Sequence, residues 1–247
     1  MTTSLHVLGL VALLALPMPN RAQDLQGILG TAGQFLGGGG NGAGLSSEEV
    51  VRGLKQALEV GSQRSVDLAG ADGGFWNEPR IRIPFPAEAE KVRTTLLGLG
   101  MTKPVEDFER TLNKAAETAV KEAVPVFVDA ITGLSVEDGF AILKGGPDAA
   151  TTLLRQRTTE ALTGRFRPIV EKATAQVALT SYWTPLANAY NSAALFTGGK
   201  AVDPDLNAYV TTKAIGGLFT LLADEERKIR ENPLARTTEL LQRVFGN

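Results

Sequence analysis

Between residues 105 and 127, Val105, Phe108, Leu112, Ala116, Ala119, Ala123 and Phe127 recur at spacings of three or four. That spacing gathers these side chains on one stripe of an α-helix, whereas a strand would scatter them over both faces. The spacing predicts one long amphipathic helix, with Pro125 expected to kink it because a proline removes a hydrogen bond and crowds the preceding turn. Its alanines leave room for the close approach of a second helix.

The same period recurs elsewhere. Tyr182, Leu186 and Tyr190 are four apart, Ile215, Leu218, Leu222 and Ile229 form another stripe, and Leu240, Leu241, Val244 and Phe245 end the chain. Ser46 with Glu49, and Ser135 with Asp138, have the spacing of a capping box, in which each side chain satisfies the other residue's free N–H. Apolar residues follow both: Leu54 and Leu58 after the first, Phe140 and Leu143 after the second. Alternation of strand type is confined to Arg80–Ile83, inside GGFWNEPRIRIPFP, where Pro79, Pro84 and Pro86 forbid a helix. The expected class is all-α: a single helical-bundle-like domain of about eight helices at the usual helix length.

Composition narrows the chemistry. Of 247 residues, 43% are hydrophobic, which suffices for a packed core. There is no cysteine, so disulfides, thiolate nucleophiles and Cys-ligated metals are excluded. The single histidine, His6, lies in a segment expected to be removed. His bases, Ser-His-Asp triads and His-ligated metals are then excluded too, while carboxylate and lysine chemistry stay open.

Leu5–Leu16 is an apolar run of 12 residues, short of the roughly 20 that span a bilayer. Pro17 and Pro19 break it and Ala22 offers a small residue for cleavage, so residues 1–22 read as a signal peptide and the product as periplasmic or extracellular. The absence of Lys and Arg from the first six residues, and Asn20 before the cut, are atypical of such leaders. Residues 23–44, with Gly37–Gly40, Gly42 and Gly44, read as a flexible linker. Residues 45–247 form the expected helical domain, and no later stretch approaches a transmembrane span. Without residues 1–22 the chain has 24 basic and 27 acidic residues, a net charge of −3, which gives no electrostatic ground for a nucleic-acid partner.

The stretch ILKGGPDAAT, residues 142–151, raises the question of a phosphate-cradling loop. Such loops follow a strand and supply GxxxxGK[ST] or GxGxxG; here a helix precedes and neither pattern fits. A hinge accounts for the residues instead: Gly145 ends one helix in the left-handed conformation, Pro147 takes the first turn of the next, and Asp148 meets its positive end.

GGFWNEPRIRIPFP, LNKAAETAV, SVEDGFAILKGGPDAATTLLRQRT, FRPIV and DLNAYVTTKAIGGLFTLLADEERKIRENPLARTTELLQRVFG together resemble the bacterial domain of unknown function numbered 4197, from about Leu45 to Gly246. The resemblance implies an exported domain of that extent. It supplies no catalytic residues to carry over.

Four constellations carry the functional question, each with a structural alternative. Trp76 with Arg80 and Arg82 forms a recognition loop, or Phe75 and Trp76 plug the core. Tyr182, Trp183 and Tyr190 line a cavity or belong to the core. Arg155, Arg157, Arg165 and Arg167 bind an anionic headgroup or pair with acids on a solvated face. In DEERKIRENPLAR, Glu226 and Arg230, and Asp224 and Lys228, are four apart, and Glu225 and Lys228 three apart, as in exposed helical pairs. The sharper alternative is a partly buried cluster of Glu225, Glu226, Arg230 and Arg236 that fixes the last helix or forms the polar end of a pocket.

The function expected from these features is non-enzymatic: an envelope protein binding an apolar ligand or an envelope protein in an inter-helix groove. The alternatives are a hydrolase or lyase built on paired carboxylates, and a structural envelope component. No cofactor, metal or catalytic residue is assigned.

Overall fold

The computed structural model describes residues 46–87, 90–176, 183–198, 201 and 203–231, all within the compact unit Ala43–Asn247. The class is all-α, and there is no strand among the described residues. The leader, the glycine-rich linker and the stripe from Leu240 to Phe245 lie outside them, as do Tyr182 and Arg236.

The first helix, α1, is Ser47–Gly70. Ser46 caps it as its spacing predicts: the Glu49 N–H donates to Ser46 Oγ at 3.2 Å, and the Ser46 N–H donates to Glu49 Oε2 at 2.9 Å. The short α2, Glu90–Gly98, buries no residue. Next come α3, Thr102–Ala119, a 3₁₀ turn, Val120–Glu122, and α4, Ala123–Thr132. The stripe from Val105 to Phe127 is buried throughout. It is divided into two helices by the 3₁₀ turn rather than kinked at the proline itself. Pro125 lies in the first turn of α4 and has no N–H to donate back to residue 121, so the backbone tightens just before it.

Helix α5, Val136–Lys144, begins at the Ser135–Asp138 capping box. It is followed by α6, Ala149–Thr174, by α7, Trp183–Thr197, and by α8, Leu206–Glu231. The long α6 and α8 pack on each other, α6 also against α3 and α4, and α8 against α1 and α3. Their shared core holds Phe75, Phe108, Phe127, Phe166 and Phe219, all shielded from solvent. Each such ring contributes about 1.5–3 kcal/mol by leaving water.

Two local readings are corrected. Gly145 ends α5 with φ −78° and ψ −178°, extended and not left-handed. What requires glycine there is space, since a Cβ would stand 2.6 Å from Ala149 Cβ. Pro147 precedes the N-cap residue Asp148 rather than entering the first turn, and the Asp148 side chain makes no capping bond. The alternation over Arg80–Ile83 is real, with Ile81 and Ile83 buried and both arginines exposed, but it joins no ladder. Ile83 pairs instead with a side chain: its N–H donates to Asn113 Oδ1 at 2.8 Å, and Asn113 Nδ2 donates to its carbonyl at 2.8 Å.

Candidate functional site

The turn that leaves α1 forms one wall of an open concavity. Gly73 has φ +77°, a conformation that glycine adopts without strain. At Gly74 a Cβ would come within 2.5 Å of the Leu68 and Ala69 carbonyls. These two glycines let the chain double back so that Phe75 enters the core and Trp76 stays half-buried beside it. Glu117 on α3 holds the turn: its Oε1 accepts the N–H groups of Phe75 at 3.2 Å and Trp76 at 3.4 Å.

Between this turn and the polar side of α3 runs a cleft of about 900 Å³, walled by Asp72, Trp76, Asp107, Arg110, Lys114 and Glu117 with several neighbours. The Arg82 and Arg110 guanidinium carbons lie 3.6 and 4.4 Å from the Trp76 ring centroid, at cation–π range. The Lys114 ammonium reaches Asp72 at 2.5 Å and Glu117 at 3.6 Å. The hydrogen bond from Lys114 holds the Asp72 carboxyl below its ordinary value. The side chain of Asp72 is 93% exposed and that of Glu117 4%, so the lysine bridges a solvated acid and a buried one.

The other predicted residues part company here. Arg80 turns to α8, with Nη1 on Asp224 Oδ2 at 2.5 Å and Nε on Glu78 at 3.0 Å. Asp224 therefore pairs with Arg80 and Arg227, not with Lys228 as its spacing suggested. Glu225 does meet Lys228, at 2.6 Å, and Arg64 stands 3.9 Å away. Trp183 is buried against Phe85 and Phe108, ring centroids 5.8 and 6.2 Å away, and Tyr190 packs on the same core. In the basic run, Arg157 pairs with Asp138, Arg167 with Glu171 and Asp205, and Arg155 lies over the Phe219 ring.

The exposed-pair reading of Glu226 and Arg230 is overturned by burial: their side chains are 6% and 14% exposed. Glu226 accepts the N–H groups of Ala150 at 3.0 Å and Thr151 at 2.8 Å, and the Thr151 hydroxyl at 2.8 Å. The acid at the positive end of α6 is thus Glu226 from α8, where Asp148 had been expected. Arg230 donates to Glu226 Oε1 and, through Nη2, to the Ile142 carbonyl at the end of α5. The ILKGGPDAAT stretch does hold an anion at a helix start, but the anion is the protein's own carboxylate. A neighbouring void lined by Leu54, Leu58, Ile142 and Ile229 measures about 20 Å³, room for a water-sized molecule only.

Asp72, Arg110, Lys114 and Glu117 were not singled out from the sequence. Arg110, Lys114 and Glu117 do follow the three-and-four spacing along α3, opposite its apolar stripe. Which acid is buried, and that a turn 40 residues upstream faces them, depends on tertiary packing. Among the described residues no three His, Cys, Asp or Glu side chains gather in a way that would hold a metal ion, and no helix is long and apolar enough to cross a membrane.

No curated protein and no solved structure matches the chain. A family model does, over residues 44–246, the extent that the resemblance implied and essentially the helical unit that builds the cleft. The chain belongs to the family described as Protein of unknown function (DUF4197).

Proposed function

We propose that this is an exported, non-enzymatic protein that binds a segment of an envelope protein in the cleft between the turn after α1 and α3. The observation that supports it is the cleft itself: about 900 Å³, open, with the Trp76 indole set beside Arg110 and Lys114. Small apolar ligands are held in enclosed, mainly apolar cavities. A trough walled by charges around one indole suits a peptide that presents both polar and apolar side chains. Tryptophan and arginine are also the side chains on which binding energy concentrates at protein interfaces. Carboxylate catalysis is less well supported, because Glu117 is committed to the N–H groups of Phe75 and Trp76.

A photo-crosslinking residue at Thr111, on the cleft wall, tests the binding reading in the native host. The expected result is a discrete protein adduct that a crosslinker at Thr159, on the exposed face of α6, does not give and that Trp76→Ala removes. Equal adducts from both positions, or none from Thr111, would overturn it. Export rests on the apolar run and Ala22. Sequencing of the mature N-terminus is expected to start near Gln23; soluble cytoplasmic protein with Met1 or Thr2 intact would refute export.

A further inference from the structure

We propose that α2 is a latch: it opens while the rest of the domain stays folded, and its opening draws Arg82 off the Trp76 ring. The helix has little of its own to hold it. It is nine residues long, short of the ~12–15 that a lone helix needs in water. It buries no residue, and Val92 packs only half-buried against the core. The turn into α3 is open as well: a Cβ at Gly98 or Gly100 would meet nothing within 4 Å, and Leu99 between them is 72% exposed. Among the described residues one polar contact ties α2 to the domain, the hydrogen bond that Arg93 Nε donates to Glu109 Oε1 on α3 at 2.9 Å.

Glu109 serves a second cation. Its Oε2 faces Arg82 Nη2 at 3.5 Å, beyond ordinary hydrogen-bond reach, while the Arg82 guanidinium carbon lies 3.6 Å from the Trp76 ring centroid. The acid and this arginine differ in freedom. The Glu109 side chain is 10% exposed and stands among the buried residues of α3, whereas that of Arg82 is 39% exposed. A buried carboxylate that loses one cation needs the other more closely. When α2 lifts and takes Arg93 with it, Arg82 therefore closes on Glu109 and leaves the indole. A helix that contributes no lining residue to the cleft thus sets how Trp76, which does line it, is covered. The link is built into the fold and does not depend on what the cleft binds.

Two measurements on the whole protein test this. Hydrogen exchange followed by mass spectrometry resolves α2 from α3. Fluorine NMR of protein labelled with fluorotryptophan reads Trp76 and Trp183, the two tryptophans of the chain, separately, and Trp76→Phe assigns them. Arg93→Met is expected to speed exchange across α2 by about tenfold or more, as loss of a hydrogen bond to a charged group should, while the buried part of α3 keeps its protection. It should also move the Trp76 resonance toward the position found in Arg82→Met, and add no further shift in an Arg82→Met background. Arg93→Lys, which keeps the charge, should restore part of both. Unchanged exchange in α2, or exchange that rises in α3 as much as in α2, would overturn the latch. A Trp76 resonance that stays at its wild-type position in Arg93→Met, or that still shifts in the Arg82→Met background, would overturn the link to the indole.

Discussion

The Arg230 guanidinium lies 2.8 and 3.0 Å from Glu226 Oε1, and between them the two side chains join three helices. Arg230 takes up the Ile142 carbonyl from the end of α5, while Glu226 takes up the Ala150 and Thr151 N–H groups at the start of α6. Both residues stand on α8, so the final described helix bridges the hinge at Gly145–Asp148. Each orphan group at the two helix ends that is reached in this way finds a charged partner.

Arg230→Gln takes the ion-pair partner from the buried Glu226 carboxylate, and Glu226→Gln takes the carboxylate from Arg230 and from the N–H groups at the start of α6. Glu226→Gln and Arg230→Gln are each expected to destabilise the fold by about 3–5 kcal/mol, the usual cost of breaking a buried pair. Asp107→Asn, which breaks the exposed Lys103–Asp107 pair, is expected to cost less than about 1 kcal/mol. Urea unfolding of the three variants measures the contrast; equal small losses would show that the α5–α6 junction does not depend on the pair.

Adjacent glycines on α8 should respond oppositely to alanine. A Cβ at Gly217 would stand 2.7 Å from Phe75 Cε1 and 3.1 Å from Ile81 Cβ, while at Gly216 it would meet nothing within 4 Å. Gly217→Ala is expected to cost about 1–3 kcal/mol by overpacking. Gly216→Ala should be neutral or stabilising by up to about 1 kcal/mol, since alanine favours the helix. Thermal melting of the pair decides it, and a loss at Gly216 as large as that at Gly217 would contradict this packing.

Asn113 stands in for a neighbouring strand. Its amide meets both backbone groups of Ile83 and also donates to the Glu109 carbonyl at 2.8 Å, all in a buried setting. Asn113→Ala would leave the Ile83 N–H and carbonyl without partners, at an expected cost of about 2 kcal/mol or more. Hydrogen exchange should also accelerate at the Ile83 amide; unchanged protection there would refute the role.

Acid should unfold the protein partly through Asp205. Its Oδ1 accepts the Ala208 N–H at 2.9 Å at the start of α8, and its Oδ2 pairs with Arg167 at 2.6 Å. The Ala208 hydrogen bond, followed by Arg167, holds the carboxyl below its ordinary value of 3.8. The folded state therefore binds this proton less readily than the unfolded chain. The stabilisation is fully present above the ordinary value and is lost as pH falls through the lower, folded one. Asp205→Asn, which keeps a capping side chain, is expected to flatten the fall in urea midpoint below about pH 4. An unchanged profile would exclude Asp205 as a contributor.

Some of this was written along the chain. The stripe from Val105 to Phe127, the two capping boxes and the prolines of GGFWNEPRIRIPFP settle that the domain is helical and where α1 and α5 begin, because periodicity and capping act over three or four residues. They also mark Ile81 and Ile83 as buried between exposed arginines. What local sequence cannot contain is which distant group answers a charge or fills a gap. Spacing offered Lys228 to Asp224, yet Arg80, 144 residues away, takes it. Spacing paired Glu226 with Arg230 correctly but left an exposed pair and a partly buried cluster both open; the burial comes from the ends of α5 and α6 closing over them. Asp148 sits where a helix dipole invites an acid, and Glu226 fills that role because α8 lies across the helix start. The cleft is of the same kind: Trp76 and Arg82 were legible as a loop worth noticing, but Arg110, Lys114 and the buried Glu117 join them only when the turn at Gly73 and Gly74 folds onto α3. Local propensity sets the elements; the packing of α6 and α8 decides which charges are buried and which are left to meet a partner.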